Sequence, residues 1–382
     1  MKIYYIANAR MPNEKAHGIQ IAKMCEAFVE TGVDVTLVVP RRATEPQSMQ
    51  EYYNLRVPIQ LIRLPVIDWY IGGRIGYLIS SVSFMLSCLF FIWQKKRVGE
   101  KFILYTIDMD SYSSSVLALS NNPFFSEFHG TKPRTLAQHM LFKRVSGIIT
   151  INKIIMEELK NNFPYSTARY IIEPNGVDLS EFVRVDKEKA RIRLGLPRDA
   201  RIVLYTGRFF EWKGLEILPQ AAILTPTIRW QIVGGEKDDF SRLVRESLPD
   251  NLFFAGSRPH NEMYLWFAAT DALLVLGTIR DVQSYRYTSP MKLFEYLATG
   301  RPIIASNTPA VREIVNEAEV FFYKSDDAQD LARVVEYAII HSAELASLVK
   351  KAMHHAVTSS WITRAERIIK FIVENTNRHI NE

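Results

Sequence analysis

The sequence predicts an α/β protein made of two doubly wound parallel-sheet domains. Short aliphatic runs alternate with helix-length segments from end to end. The runs are apolar throughout instead of alternating apolar with polar, as strands covered on both faces must be. The series also occurs twice, and 382 residues exceed what a single core usually holds.

The first series comprises KIYYIAN (2–8), DVTLVVP (34–40), IQLIRLP (59–65), FILYT (102–106), GIITIN (147–152) and YIIEPN (170–175). Its opening, MKIYYIANAR, reads as a strand that starts the fold. It lacks the charged, apolar and small-residue succession of a signal peptide, so a cytoplasmic protein is expected. The second series is RIVLYTG (201–207), WQIVGG (230–235), LFFAG (252–256), ALLVLG (272–277), PIIAS (302–306) and VFFY (320–323). Between them, PNGVDL at Pro174–Leu179 interrupts the rhythm with proline and Asn-Gly, and the charged helix VDKEKARIRLGL follows. The expected domains are 1–178 and 179–358, with 359–382 as a terminal helix. In such sheets ligands bind outside the carboxyl ends of the strands, so chemistry is expected in the cleft between the domains.

One segment breaks the pattern. IGYLISSVSFMLSCLFFIW, residues 75–93, runs 19 residues without charge and is followed by Gln94 and then Lys95, Lys96 and Arg97. Its length permits a membrane span. A span there would put two parts of one sheet on opposite sides of a bilayer, which topology argues against. Two arrangements stay open: a helix lying on a membrane with its three cations facing anionic lipid, or a buried helix.

Hydrophobic content of 48% and aromatic content of 12% mark a packed globular chain. A net charge of +6 points to anionic partners or simply to a basic surface. The basic residues are spread, not clustered with aromatics, so nucleic acid is not an expected partner. Cys25 and Cys88 lie far apart with no CxxC, and the histidines show no HExxH spacing, so neither a disulfide framework nor a metal site is expected.

Three features of the second half suit a phosphate-bearing ligand. In SPMKLFEYLATGRPIIAS (289–306), Ser289 is placed to cap a helix and Pro290 to occupy its first position. The amides of Met291, Lys292 and Leu293 then face an anion, with the Lys292 charge beside them. An ordinary capped helix end has the same appearance. Glu295 follows Met291 by four residues, about 6 Å along the axis. It is placed to accept hydrogen bonds from a ribose, although a lone helix acid is more often simply solvated. In GRFFEWKG (207–214), Arg208 and Lys213 sit five residues apart at a strand-to-helix turn with flanking glycines, which suits a diphosphate.

GRFFEWKG, SPMKLFEYLATGRPIIAS and PNGVD resemble the retaining glycosyltransferases of family 4. So do AHGIQIAKMCEAFVETGVDVTLVVP near the start, EFHG at 127–130 and SWITRAERIIKFI near the end. The resemblance covers nearly the whole chain, and its C-terminal motifs are the specific ones. It implies the GT-B fold, two Rossmann-like domains facing a cleft, with the last helix crossing back to the first domain. It also implies that Arg208, Lys213 and the helix start at 290–293 neutralise a donor diphosphate. By the same resemblance Glu295 binds the ribose, Arg258 contacts the base, His129 reaches the transferred sugar, and Gly18 lies in a first loop that closely approaches phosphate and acceptor. The family's E-x7-E motif is incomplete: its first Glu falls on Tyr287, which puts the usual sugar contact in doubt. The first loop has one glycine where many relatives have two.

The expected function is retaining transfer of a hexosyl group from a nucleotide-diphosphate sugar to a glycan, lipid-linked or other hydroxyl acceptor, in cell-surface polysaccharide or glycoconjugate synthesis. His129, Arg208 and Lys213 are the expected catalytic residues. Neither cofactor nor metal is expected, since fixed cations at the leaving group do that work. The expected location is the cytoplasm, with peripheral contact at the inner face of the membrane. A nucleotide-sugar 2-epimerase of the same fold would share the phosphate elements but need no acceptor. A non-catalytic nucleotide-sugar binder would share them and turn nothing over.

Overall fold

A computed structural model describes residues 1–42, 48–69, 73–107, 114–182, 185–341 and 345–381. The chain divides into two compact units: Met1–Pro174 with Trp361–Glu382, and Asn175–Ser360.

Unit 1 holds β1 (Lys2–Ile6), β2 (Asp34–Pro40), β3 (Gln60–Leu64), β4 (Ile103–Ile107), β5 (Phe124–Phe128), β6 (Gly147–Thr150) and β7 (Arg169–Ile172) in the order β3-β2-β1-β4-β5-β6-β7. All its neighbouring strands run parallel. The chain starts mid-sheet, winds outward through β2 and β3, then returns to the other side of β1. That reversal leaves a crevice at the carboxyl ends of β1 and β4, where a doubly wound sheet binds its ligands. β5 is a strand beyond the six that the aliphatic pattern identifies. Its sequence FFSEF buries Ser126 and Glu127, and these polar residues break the apolar run.

Unit 2 holds β8 (Arg201–Thr206), β9 (Ile228–Val233), β10 (Leu252–Phe254), β11 (Ala272–Val275), β12 (Ile303–Ser306) and β13 (Phe321–Tyr323) in the order β10-β9-β8-β11-β12-β13. Neighbours are again parallel. Successive side chains of a strand point to opposite faces. Val203 and Tyr205 therefore pack with Trp230 and Ile232 on one face, while Ile202 and Leu204 pack with Leu273 and Val275 on the other. Two covered faces explain why β8 has no polar alternation. The winding reverses between β8 and β11.

Helix Gly73–Arg97 joins β3 to β4. Among the described residues it is the one helix long and apolar enough to cross a membrane. One side is built into unit 1: Phe84, Cys88, Phe91 and Ile92 are buried, Ser80 accepts from Arg42, and Ser81 accepts from Asn8. The helix is buried on one side and exposed on the other, with Ile75, Leu86 and Phe90 among its exposed residues. Helix Trp361–Asn381 belongs to unit 1 and packs on its first helix, Ala16–Glu30.

Candidate functional site

In unit 2, the loop leaving β8 begins at Gly207, whose φ of +129° is open to glycine and strained for other residues. A Cβ added there would lie 2.9 Å from Lys292 Nζ and 3.5 Å from Lys213 Nζ. Two ammonium groups from distant parts of the sequence therefore converge on one glycine at the carboxyl end of β8, at the point where the strand order reverses. Lys213 Nζ donates to the Arg208 carbonyl at 3.0 Å and lies 4.9 Å from the Phe210 ring. Lys292 Nζ donates to the Thr206 carbonyl and sits 4.0 Å over the Tyr205 ring. Loss of solvent, then the Arg208 charge, pushes the Lys213 ammonium down to about 8. Burial, then Lys213, pushes Lys292 well below its ordinary value, and Glu295 opposes the shift. Cations held together against their own repulsion are a site prepared for an anion.

The helix start differs from the sequence expectation. Helix Met291–Ala298 has Pro290, not Ser289, at its N-cap, and no side chain caps it. Ser289 is turned to the chain near the start of the unit: its hydroxyl accepts from the Asn175 amide at 3.3 Å, and its carbonyl accepts from Asn175 Nδ2 at 2.8 Å. Leu293 N–H is taken by the Pro290 carbonyl, and the Leu293 side chain is buried in the core. The amides left at the open end are those of Met291 and Lys292, a smaller set than expected. Because Ser289 is used elsewhere, the dipole end is uncapped on the helix that also supplies Lys292.

Glu295, one turn on, is not a plain solvated acid. His260 Nε2 lies 2.9 Å from its Oε1, and His260 Nδ1 lies 3.6 Å from Glu181 Oε2. His260 follows exposed Arg258 by two residues in the connection after β10. The loop assigned to the base and the carboxylate assigned to the ribose are thus tied together by one imidazole. Tyr287 ends a one-turn π-helix, Gln283–Tyr287, in the connection from β11.

In unit 1, His129 stands just past β5 with Nε2 2.7 Å from Glu127 Oε1. Glu127 is fully buried and also accepts from Gln20 at 2.9 Å, from Arg364 Nη2 at 2.7 Å and from the Tyr105 hydroxyl. Burial alone would raise its pKa. The Arg364 guanidinium and the hydrogen bonds from His129 and Tyr105 overcome that and hold the carboxyl below the usual range. An ionised carboxylate only accepts, so His129 donates through Nε2 and turns Nδ1 away from it. His17 lies near enough to be felt: burial, then Lys15 and His129, push it down to about 4.

Gly18 is corrected. It lies in the first turn of helix Ala16–Glu30, not in the loop before it, and is buried. A Cβ there would sit 2.6 Å from the Tyr53 hydroxyl and 2.7 Å from Asn13 Oδ1. Sequence reasoning missed Glu127, Arg364 and His260, and it named the pivot Gly207 only as a glycine flanking the Arg208–Lys213 turn, without its approach to Lys292. Glu127 had a signal, since i and i+2 on a strand share a face. Arg364 had none.

Residues 186–355 match the family model described as glycosyl transferases group 1. The match lies within unit 2 and contains Arg208, Lys213, Lys292 and Glu295. A D-inositol 3-phosphate glycosyltransferase of Mycolicibacterium vanbaalenii is 24% identical over 296 residues, 70% of this chain and 63% of the relative. One from Catenulispora acidiphila is 28% identical over 211 residues, 51% of this chain and 49% of the relative. The chain thus spans about half to three-fifths of these relatives. Sucrose-phosphate synthase from Thermosynechococcus elongatus superposes with a TM-score of 0.75 at 18% identity, covering 99% of each chain. Anabaena HepE, solved in complex with UDP and glucose, gives 0.71 at 16% identity, covering 98% of this chain and all of the other. The match to the group 1 glycosyltransferase model is confined to residues 186–355 of unit 2, and the fold class is that of the GT-B enzymes.

Proposed function

We propose that the protein is a retaining family 4 glycosyltransferase that takes a hexosyl group from a nucleoside diphosphate sugar and passes it to a glycan or lipid-linked hydroxyl in surface-glycan synthesis. The observation that carries the donor assignment is the convergence of Lys213 and Lys292 on Gly207 at the switch point of unit 2, beside an uncapped helix end. The solved complex of HepE with UDP supports a donor of this class. In this proposal the diphosphate displaces the repulsion among Arg208, Lys213 and Lys292. Glu295 exchanges or shares its His260 bond with the ribose, and Arg258 meets the base. As the bond to the anomeric carbon breaks, negative charge grows on the leaving oxygens, where fixed cations contribute most. The departing phosphate takes the acceptor's proton on the same face. His129, oriented by Glu127, is assigned to the transferred sugar.

The test is thermal stabilisation by UDP, GDP and ADP, followed by donor hydrolysis and transfer with chelator present. Stabilisation by one nucleotide, with turnover that requires an acceptor and survives chelation, is the expected result. Donor interconversion without acceptor would instead identify an epimerase, and tight binding without any product a non-catalytic binder. Loss of activity on chelation, restored by a divalent ion, would refute the metal-free arrangement.

A further inference from the structure

Helix Gly73–Arg97 carries a second feature that sugar transfer does not use. Ile75, Leu78, Val82, Leu86, Phe90 and Trp93 are all exposed, from 44% at Leu78 to 68% at Ile75. At about 100° per residue these six fall within roughly 60° either side of one line, a stripe about 27 Å long. The opposite face carries the buried Phe84, Cys88, Phe91 and Ile92. A bare apolar stripe of this length marks a surface that is covered in use.

The stripe ends in aromatic and basic residues. Phe90 and Trp93 stack at 5.7 Å, and the Arg97 guanidinium lies 4.5 Å over the Trp93 ring. Exposed Trp69, from the segment leading into the helix, adds a second indole. Glu100 is already bound by Lys2, Lys95 and Tyr4. Lys96 Nζ donates to the Ser120 carbonyl at 2.6 Å, and neither Lys96 nor Arg97 makes an ion pair among the described residues, so both exposed charges lack a carboxylate partner. Apolar anchors, indoles at the margin and cations beside them match the layers of an anionic bilayer surface: acyl chains, headgroup boundary and phosphate.

We infer that unit 1 docks on an anionic lipid bilayer, with helix Gly73–Arg97 lying flat in the interface and its stripe facing the acyl chains. The helix cannot cross, because β3 and β4 at its two ends are strands of one sheet. This inference rests on the surface of unit 1 and not on the proposed sugar chemistry.

The experiment is flotation of the full chain with vesicles of phosphatidylcholine alone or mixed with phosphatidylglycerol. Capture by the mixed vesicles and little by the neutral ones is expected. Capture should weaken but persist as the Debye length shrinks from about 10 Å at 0.1 M salt to about 3 Å at 1 M. Leu86→Glu with Phe90→Glu should lower capture about tenfold or more. These exposed positions should leave nucleotide binding and the unfolding midpoint unchanged. No capture by either vesicle, or equal capture by both, would overturn the inference. So would a dimer in solution that the double variant dissociates, since the stripe would then be covered by a second copy. Failure of sugar transfer with intact flotation would leave this inference standing and remove only the proposed activity.

Discussion

Arg364 Nη2 lies 2.7 Å from Glu127 Oε1, a buried ion pair between residues 237 positions apart. Through it the last helix of the chain neutralises the carboxylate that orients His129. Arg364 also donates to the carbonyls of Pro174 and Glu173, and Arg367 grips the Glu173 carboxylate with two nitrogens. The return of helix Trp361–Asn381 to unit 1 is therefore fixed by charge-assisted bonds as well as by packing.

Removing one partner of that pair leaves a buried charge uncompensated. Arg364→Met is expected to lose about 3–5 kcal/mol of stability, read from the denaturant midpoint. Adding Glu127→Gln should recover part of it, because the stranded carboxylate is gone. A double variant no more stable than the single one would show that packing, not charge, dominates. Since Glu127 is held below its ordinary value of 4.5, its contribution is present above that pH and lost as pH falls below it.

His129→Ala should fold normally and bind nucleotide as the parent does, while turnover falls about one to two decades. Glu127→Gln should lower turnover in the same direction, since a neutral amide no longer fixes which ring nitrogen carries the proton. Turnover equal to the parent's in His129→Ala would remove the residue from the site.

With a diphosphate bound as proposed, the lowered pKa of Lys213 makes nucleotide binding pH-dependent. Above about pH 8 the free ammonium loses its proton, and a diphosphate must restore it. Nucleotide affinity should fall about tenfold per pH unit from about pH 8 upward, with Lys292 adding in the same sense. Lys213→Met should weaken binding near neutrality and flatten the slope, as titration calorimetry across this range would read. An identical slope in that variant would assign the proton elsewhere. In the free protein the native Lys213 releases its proton before the unfolded one does. Its unfavourable contribution is thus relieved between about 8 and 10.5, where stability should rise with pH.

Gly207→Ala tests the pivot. The new methyl would meet Lys292 Nζ and force a positive φ, at a cost of about 1–3 kcal/mol in stability. Nucleotide affinity should drop at least about tenfold, since displaced ammonium groups lose charge-assisted bonds. Unchanged affinity by thermal shift would place the diphosphate away from Gly207.

The two parallel sheets were legible in the chain because strands covered on both faces are mostly apolar, as β8, β11 and β12 are, although β9 carries Arg229 and Gln231 within its run. The sequence by itself also determined which cations flank a strand end, since Arg208 and Lys213 are local to one turn. It did not reveal β5, whose buried Ser126 and Glu127 disguise a strand. Which side chains share a site follows from the packing of distant elements. Lys292 reaches Gly207 because β8 and β11 are neighbours at the reversal of strand order. Ser289 leaves its cap because Asn175 competes for it. Arg364 completes the His129 site because the last helix packs on unit 1. Pattern along a chain records burial, which each residue carries for itself; partnership between distant charges is set by where the sheet order brings them, and no local signal encodes that.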